Sequence, residues 1–266
     1  MSSLLTHEPL LRGSAFTGIL LAMALWELLA PRRQQSQRRG ARWPSNLGIT
    51  ILNTLLMRVV FPLGAVGVAA LAAQHAVGIF NALRIAPAVS LLCSMLLLDL
   101  AIYTQHVVFH RVPWLWRLHR MHHADTALDV TSGSRFHPIE MLLSMVIKVA
   151  IVLAFGMPPL AVLLFEVVLN ATAMFNHANA RLPLPIDRVL RYLLVTPDMH
   201  RVHHSTVVAE THSNFGFNLP WWDRLFRTYR AQPEAGHQHM TIGLPEFRAL
   251  DESRLDRMLT QPWRNA

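Results

Sequence analysis

Eight histidines in this chain fall into three tight clusters. His106 and His110 form H-x-x-x-H, His119, His122 and His123 form H-x-x-H-H nine residues later, and His200, His203 and His204 repeat H-x-x-H-H far downstream. On a helix, positions i, i+3 and i+4 share one face, so each cluster can aim two or three imidazoles at one point. Imidazole suits iron, zinc, copper and nickel. Eight imidazoles exceed the needs of a single four-coordinate ion and fit two metals.

Two further histidines fall at the same expected depth. His177 lies in Asn176-His-Ala-Asn179 and is expected to be a ligand. His137 lies in Arg135-Phe-His-Pro-Ile-Glu140 and either binds metal or hydrogen-bonds a ligand histidine or loop backbone. Asp99, Tyr103, His106 and His110 make one helical stripe, and Glu166, Asn170, Ala173 and His177 another. Metal-bound histidines commonly give their second N–H to a carboxylate, and a carboxylate within a membrane normally faces a partner. Asp99, Tyr103 and Glu166 are therefore candidates for metal binding or for orienting the ligands. His7, His75, His237 and His239 have no partner at helical spacing and read as bystanders, the last two as solvated residues of a polar tail.

The elements that must position these side chains are apolar. Of 266 residues 52% are hydrophobic and only 15% charged, with a formal net charge of +8 and a mean hydropathy of +0.30. Apolar runs cover about 14–30, 47–73, 86–109, 139–155 and 159–176, the last two separated by a tight Gly156-Met-Pro-Pro159 break. The expectation is an all-α, multi-pass bundle of about four to five membrane-embedded helices carrying a histidine-rich cap. Residues 1–90 read as an N-terminal transmembrane region, 91–230 as the catalytic domain and 231–266 as a C-terminal tail.

The arginines flank apolar runs, which favours a bilayer over nucleic acid as their partner. Segment 31–46 holds five arginines, whereas 74–85 holds only Arg84. The positive-inside rule then puts 31–46, 110–137 and everything after 177 in the cytoplasm, so all three clusters share one side. Lys148 is the only lysine, which hints at a GC-rich bacterial genome and hence a bacterial inner membrane. No cleaved signal is expected, and the lone Cys93 reads as a packing residue. The sequence has no H-E-x-x-H, G-x-G-x-x-G or P-loop, nor paired E-x-x-H motifs. Reducing power must come from another protein.

The order of the boxes resembles the fatty acid hydroxylase/sterol desaturase family of membrane di-iron enzymes. The likeness extends to Asp99-x-x-x-Tyr103-x-x-His106, Arg135-Phe-His-Pro-Ile-Glu140, Asn176-His-Ala-Asn179 and Thr196-Pro-Asp-Met-His-Arg-Val-His-His204. It continues through Asn214-Phe-Gly-Phe-Asn218 and Trp222-Asp-Arg-Leu-Phe226. Arg227 departs from it, standing where family members usually carry glycine. The resemblance implies two iron ions, O2 as co-substrate, electrons from an external carrier, and hydroxylation or desaturation of an unactivated C–H bond in a lipid. The alternatives are a zinc-dependent membrane hydrolase using the same imidazoles, and a haem or metal carrier, which would need only one or two of them.

Overall fold

In a computed structural model that describes residues 7–264, proline sets where the principal helices begin. Pro87, Pro113, Pro138, Pro159 and Pro197 each open a helix, where the missing N–H has no intrahelical partner to lose. The helices that frame the site are α1 (Glu8–Leu29), α2 (Arg39–Val60), α3 (Gly64–Gln74), α4 (Pro87–Arg111), α5 (Pro113–His123), α6 (Pro138–Phe155) and α7 (Pro159–His177). Shorter helices follow: α8 (Leu184–Leu190), α9 (Pro197–His203), α10 (Trp221–Leu225) and α11 (Leu255–Thr260). Among the described residues there is no strand, only two isolated bridges.

Among the described residues, five helical stretches are long and apolar enough to cross a membrane: Glu8–Leu29, Arg39–Ala82, Pro87–Arg111, Pro138–Phe155 and Pro159–His177. The chain is an all-helical membrane protein. Its apolar core is built from Ala65, Val66 and Ala69 of α3 against Leu98, Val152, Val162 and Phe165. The α6–α7 hairpin turns at Gly156, whose φ of +65° is left-handed backbone that glycine adopts without strain. A Cβ there would lie 2.3 Å from the Val77 carbonyl oxygen, so glycine also permits close approach of the loop after α3.

The second apolar run differs from its expected form. Its helix starts at Arg39, within the segment expected to be an arginine-rich loop, and breaks at Phe61–Leu63 around Pro62 before α3 continues. The reason is Arg42, which is fully buried and serves structure instead of marking a membrane face. Its guanidinium donates to Asp125 at 2.8 and 2.6 Å and to Asp129 at 2.7 Å. Burial alone would raise the Asp125 carboxyl, but Arg42 and then Arg135 hold it well below the usual carboxylate range. Arg39 likewise pairs with Glu27, and Arg32 with Asp198.

The polar C-terminal region packs back onto the histidine end. Met258 of α11 is buried against Ile49 and Met121, and Arg117 donates to the Pro262 carbonyl at 2.7 Å.

Candidate metal centre

Four helices bring their histidines to one buried point. α4 supplies His106 and His110 from its last two turns, α5 supplies His119, His122 and His123, α7 ends on His177, and α9 with its first following residue supplies His200, His203 and His204. Thr196 starts α9 by accepting the Met199 N–H at its side-chain oxygen. All nine side chains are at most 5% exposed.

They sort into two groups. His106, His110, His119, His123 and His203 can each place a ring nitrogen within 4.8 Å of the others, and so can His122, His177, His200 and His204. The groups adjoin: the rings of His123 and His204 stack with centroids 4.4 Å apart.

The hydrogen bonds fix which nitrogens face inward. Nδ1 of His106 lies 2.7 Å from the Phe215 carbonyl, that of His122 3.1 Å from Arg135, that of His177 2.7 Å from Ala173, and that of His203 2.7 Å from Ser213. A carbonyl oxygen only accepts, so each of these imidazoles carries its proton on Nδ1 and presents a bare Nε2 to the interior. His119 gives its Nδ1–H to Glu140 Oε1 at 2.7 Å. The bare Nε2 atoms then face one another, His106 to His119 at 3.1 Å and His122 to His177 at 3.1 Å, and Nε2 of His200 lies 3.1 Å from that of His177. Lone pairs opposed at that distance in a dry interior repel unless a cation lies between them. Both nitrogens of His110 and of His123, and Nε2 of His203, are buried with no hydrogen-bond partner. This donor set fits metal ions.

The surroundings keep the imidazoles neutral. Burial first, and then the neighbouring imidazoles, push His122, His123, His200 and His204 well below the ordinary histidine value. Burial does the same to His203, against the opposing Ser213 carbonyl. Aromatic rings form the dry wall: Phe136 stacks on His122 at 4.5 Å, Phe217 lies 5.1 Å from His106, and Trp116 4.8 Å from His110.

The other candidates fall elsewhere. His137 is not in the cluster: its Nδ1 accepts the Ile139 N–H at the start of α6, and its Nε2 donates to the Leu259 carbonyl. Asp99 touches no histidine and accepts from Trp222 Nε1 at 2.8 Å. Tyr103 hydrogen-bonds Thr228 at 2.9 Å and reaches the site only through Phe215, which it meets edge-on. Glu166 is an ion-pair residue, bonded to Lys148 and Arg12 at 2.6 Å each. Eleven residues along α7 separate it from His177, about 16 Å of helix. His237 is buried instead of solvated, 3.6 Å from Asp198, with burial pushing its ring down to about 4.

Two residues at the site were given no role by the sequence. Glu140, which orients His119, comes from the first turn of α6, and His212 brings its ring to 5.5 Å from His110 from the loop after the last box. The C-terminal signature acts through the backbone. Asp223 accepts the N–H groups of Phe215 and Gly216 at 2.8 Å each, which presents the Phe215 carbonyl to His106. Asn214 holds the same loop by donating to the Met199 and Arg230 carbonyls. Arg227, at the position where glycine is usual in the resembled family, has a φ of +60°: the glycine-type backbone is kept by an arginine.

The chain is 27% identical over 217 residues to an ornithine lipid hydroxylase, OlsE, of Rhizobium tropici, covering 79% of this chain and 64% of that one. It is 28% identical over 147 residues to cholesterol 25-hydroxylase of Rattus norvegicus, covering 54% and 48%. It is 28% identical over 143 residues to alkylglycerol monooxygenase of Xenopus tropicalis, covering 51% and 29%. The chain thus spans less than two thirds of the length of these curated relatives. No solved structure is matched. Residues 91–228, which hold every clustered histidine, match the fatty acid hydroxylase family, and the chain belongs to that family.

Proposed function

We propose that the protein is a membrane-bound di-iron oxygenase that hydroxylates an unactivated C–H bond of a lipid, using O2 and electrons from an external carrier. The observation that carries this reading is the set of opposed, bare Nε2 atoms in two adjoining groups. His106, His110, His119, His123 and His203 would hold one ion, and His122, His177, His200 and His204 the other. Two ferrous ions held in such a shell would supply the reduction of O2 and the oxidising power needed for C–H cleavage.

The protein's own residues do the rest. Glu140 and the carbonyls of Phe215, Arg135, Ala173 and Ser213 lock the ring orientations, while Phe136, Phe215 and Phe217 exclude water. An almost wholly apolar groove of about 470 Å³ runs between α4 and α6, lined by Leu97, Ala101, Val108, Leu143 and Ile147. At one end stands Phe109, whose ring is 6.0 Å from His119. This groove suits an acyl or other lipid chain lying beside the centre.

In this reading residues 91–230 form the catalytic unit, and α1, α2 and the C-terminal segment buttress it. The exposed arginines Arg38, Arg111, Arg117 and Arg181 stand at the histidine end, against Arg58 and Arg84 at the other, which supports a cytoplasmic site in a bacterial inner membrane. The test is expression in a host that lacks the protein, with mass spectrometry of the lipid extract. A lipid heavier by one oxygen, formed only with O2 present, is expected. A lipid lighter by two hydrogens would make the reaction a desaturation, and cleavage without O2 would replace the reading with a zinc hydrolase.

A further inference from the structure

The segment after His177 reads as polar and cytoplasmic by composition, yet two of its helices carry a broad apolar surface. Ile186, Val189, Tyr192, Leu193, Leu225 and Phe226 are each more than half exposed. They belong to α8, α10 and the residues directly after them, which are joined into one plate. Trp221 Nε1 donates to the Tyr192 carbonyl at 2.8 Å, and Arg224 donates to the Arg191 carbonyl at 3.0 Å while lying over the rings of Tyr192 and Tyr229.

The position of this plate follows from its ties to α4. Trp222 is hydrogen-bonded to Asp99, Thr228 to Tyr103, and Phe226 stacks on Tyr103 with centroids 5.5 Å apart. Tyr103 and Asp99 lie three and seven residues before His106 on a helix running toward the histidine end, so the plate is tied to α4 about 5 to 10 Å deeper than His106. The α6–α7 hairpin, measured from its histidine end to its turn, is 18 residues long, about 27 Å, close to the roughly 30 Å hydrocarbon thickness of a bilayer. The histidines therefore lie near one boundary of the hydrocarbon, and a plate tied about 5 to 10 Å below them lies in that leaflet.

Its charges agree with this. The exposed charged residues of the plate, Arg188 and Arg227, are cationic, while its acids turn inward: Asp187 to Arg191 and Asp223 to backbone N–H groups. Exposed aliphatics with Trp, Tyr and snorkelling arginines are the composition of a surface seated where headgroups meet acyl chains.

We infer that α8 and α10 form an in-plane membrane anchor, seated in the leaflet at the histidine end, with lipid as its occupant. The inference concerns seating alone and stands whether or not the centre is a lipid hydroxylase. The test places single nitroxide labels on the full chain in a Cys93→Ala background, in vesicles of phosphatidylcholine and phosphatidylglycerol. Val189→Cys and Leu225→Cys report the plate, Leu92→Cys the lipid-facing surface of α4, and Glu234→Cys bulk water.

Collision with O2 against a water-soluble nickel chelate should place both plate labels with Leu92. Plate labels that match Glu234 would overturn the inference, leaving an aqueous surface free for a soluble partner. Labels shielded from both relaxants and broadened by spin–spin coupling would also overturn it, in favour of a second copy. Unchanged helicity and elution volume show that each variant is folded, and Ile186→Cys and Leu193→Cys replace any variant that is not.

Discussion

His122 and His177 hold their Nε2 atoms 3.1 Å apart although each commits its Nδ1 proton to a backbone carbonyl. Neither ring has a proton to place in that gap, so only a cation relieves the contact. Replacing His122 or His203 with alanine should therefore remove bound metal and abolish activity while leaving the protein in the membrane. Metal analysis of the purified variants checks this. Full metal content in either variant would show that the groups are not ligand sets.

The Glu140–His119 pair acts one step away from the metal. Glu140→Gln should weaken metal retention by about 10–100-fold, the usual cost of losing a carboxylate behind a ligand histidine. Glu166→Gln, far along α7 and paired with Lys148 and Arg12, should leave metal affinity unchanged. Competition with a chelator measures both. Equal losses would return Glu166 to the site.

Arg42 is a structural residue. Arg42→Ala leaves the Asp125 and Asp129 carboxylates buried without their main counter-charge, and removing one partner of a buried pair costs about 3–5 kcal/mol. A large fall in thermal midpoint in detergent is expected, and an unchanged midpoint would show that the clamp contributes nothing.

Arg227→Gly should stabilise the protein. Left-handed backbone costs a side-chain-bearing residue about 1–2 kcal/mol, against about 0.5–1 kcal/mol for the extra chain freedom of glycine. A small rise in thermal midpoint is the expected outcome. A fall would mean that Arg227 makes a compensating contact, such as one with lipid headgroups.

Acid should release the metal. The folded chain keeps His122, His123, His200, His203 and His204 neutral well below the ordinary histidine value, whereas the unfolded chain takes up protons as the pH falls below about 6.5. The unfolded state then binds more protons, so stability and metal retention hold above that pH and fall beneath it. Thermal midpoints and metal content from about pH 8 to about pH 5 test the sign, which a flat response would contradict.

The boxes were legible because helical spacing is local: i, i+3 and i+4 put His119, His122 and His123 on one face whatever surrounds them. His177 was legible from its place at the end of an apolar run. Glu140 closed a family-like segment, but its role was not legible, since 21 residues separate it from His119 and only the packing of α5 on α6 brings them together. Backbone carbonyls, which orient His106, His122, His177 and His203, leave no mark in a sequence at all.

The stripes through Asp99 and Glu166 misled for a geometric reason. A shared helix face does not shorten the axial distance, and each acid found a nearer partner on another helix. Composition misled at Arg42 and His237, polar residues whose burial depends on partners distant in the chain.

The central claim is tested most directly by counting metal in the full chain purified without oxygen from membranes, alongside His122→Ala. The account predicts two irons per wild-type chain, spectroscopically coupled, and loss from the variant. A wild-type chain that binds no metal, or whose metal is indifferent to the loss of His122, would contradict it.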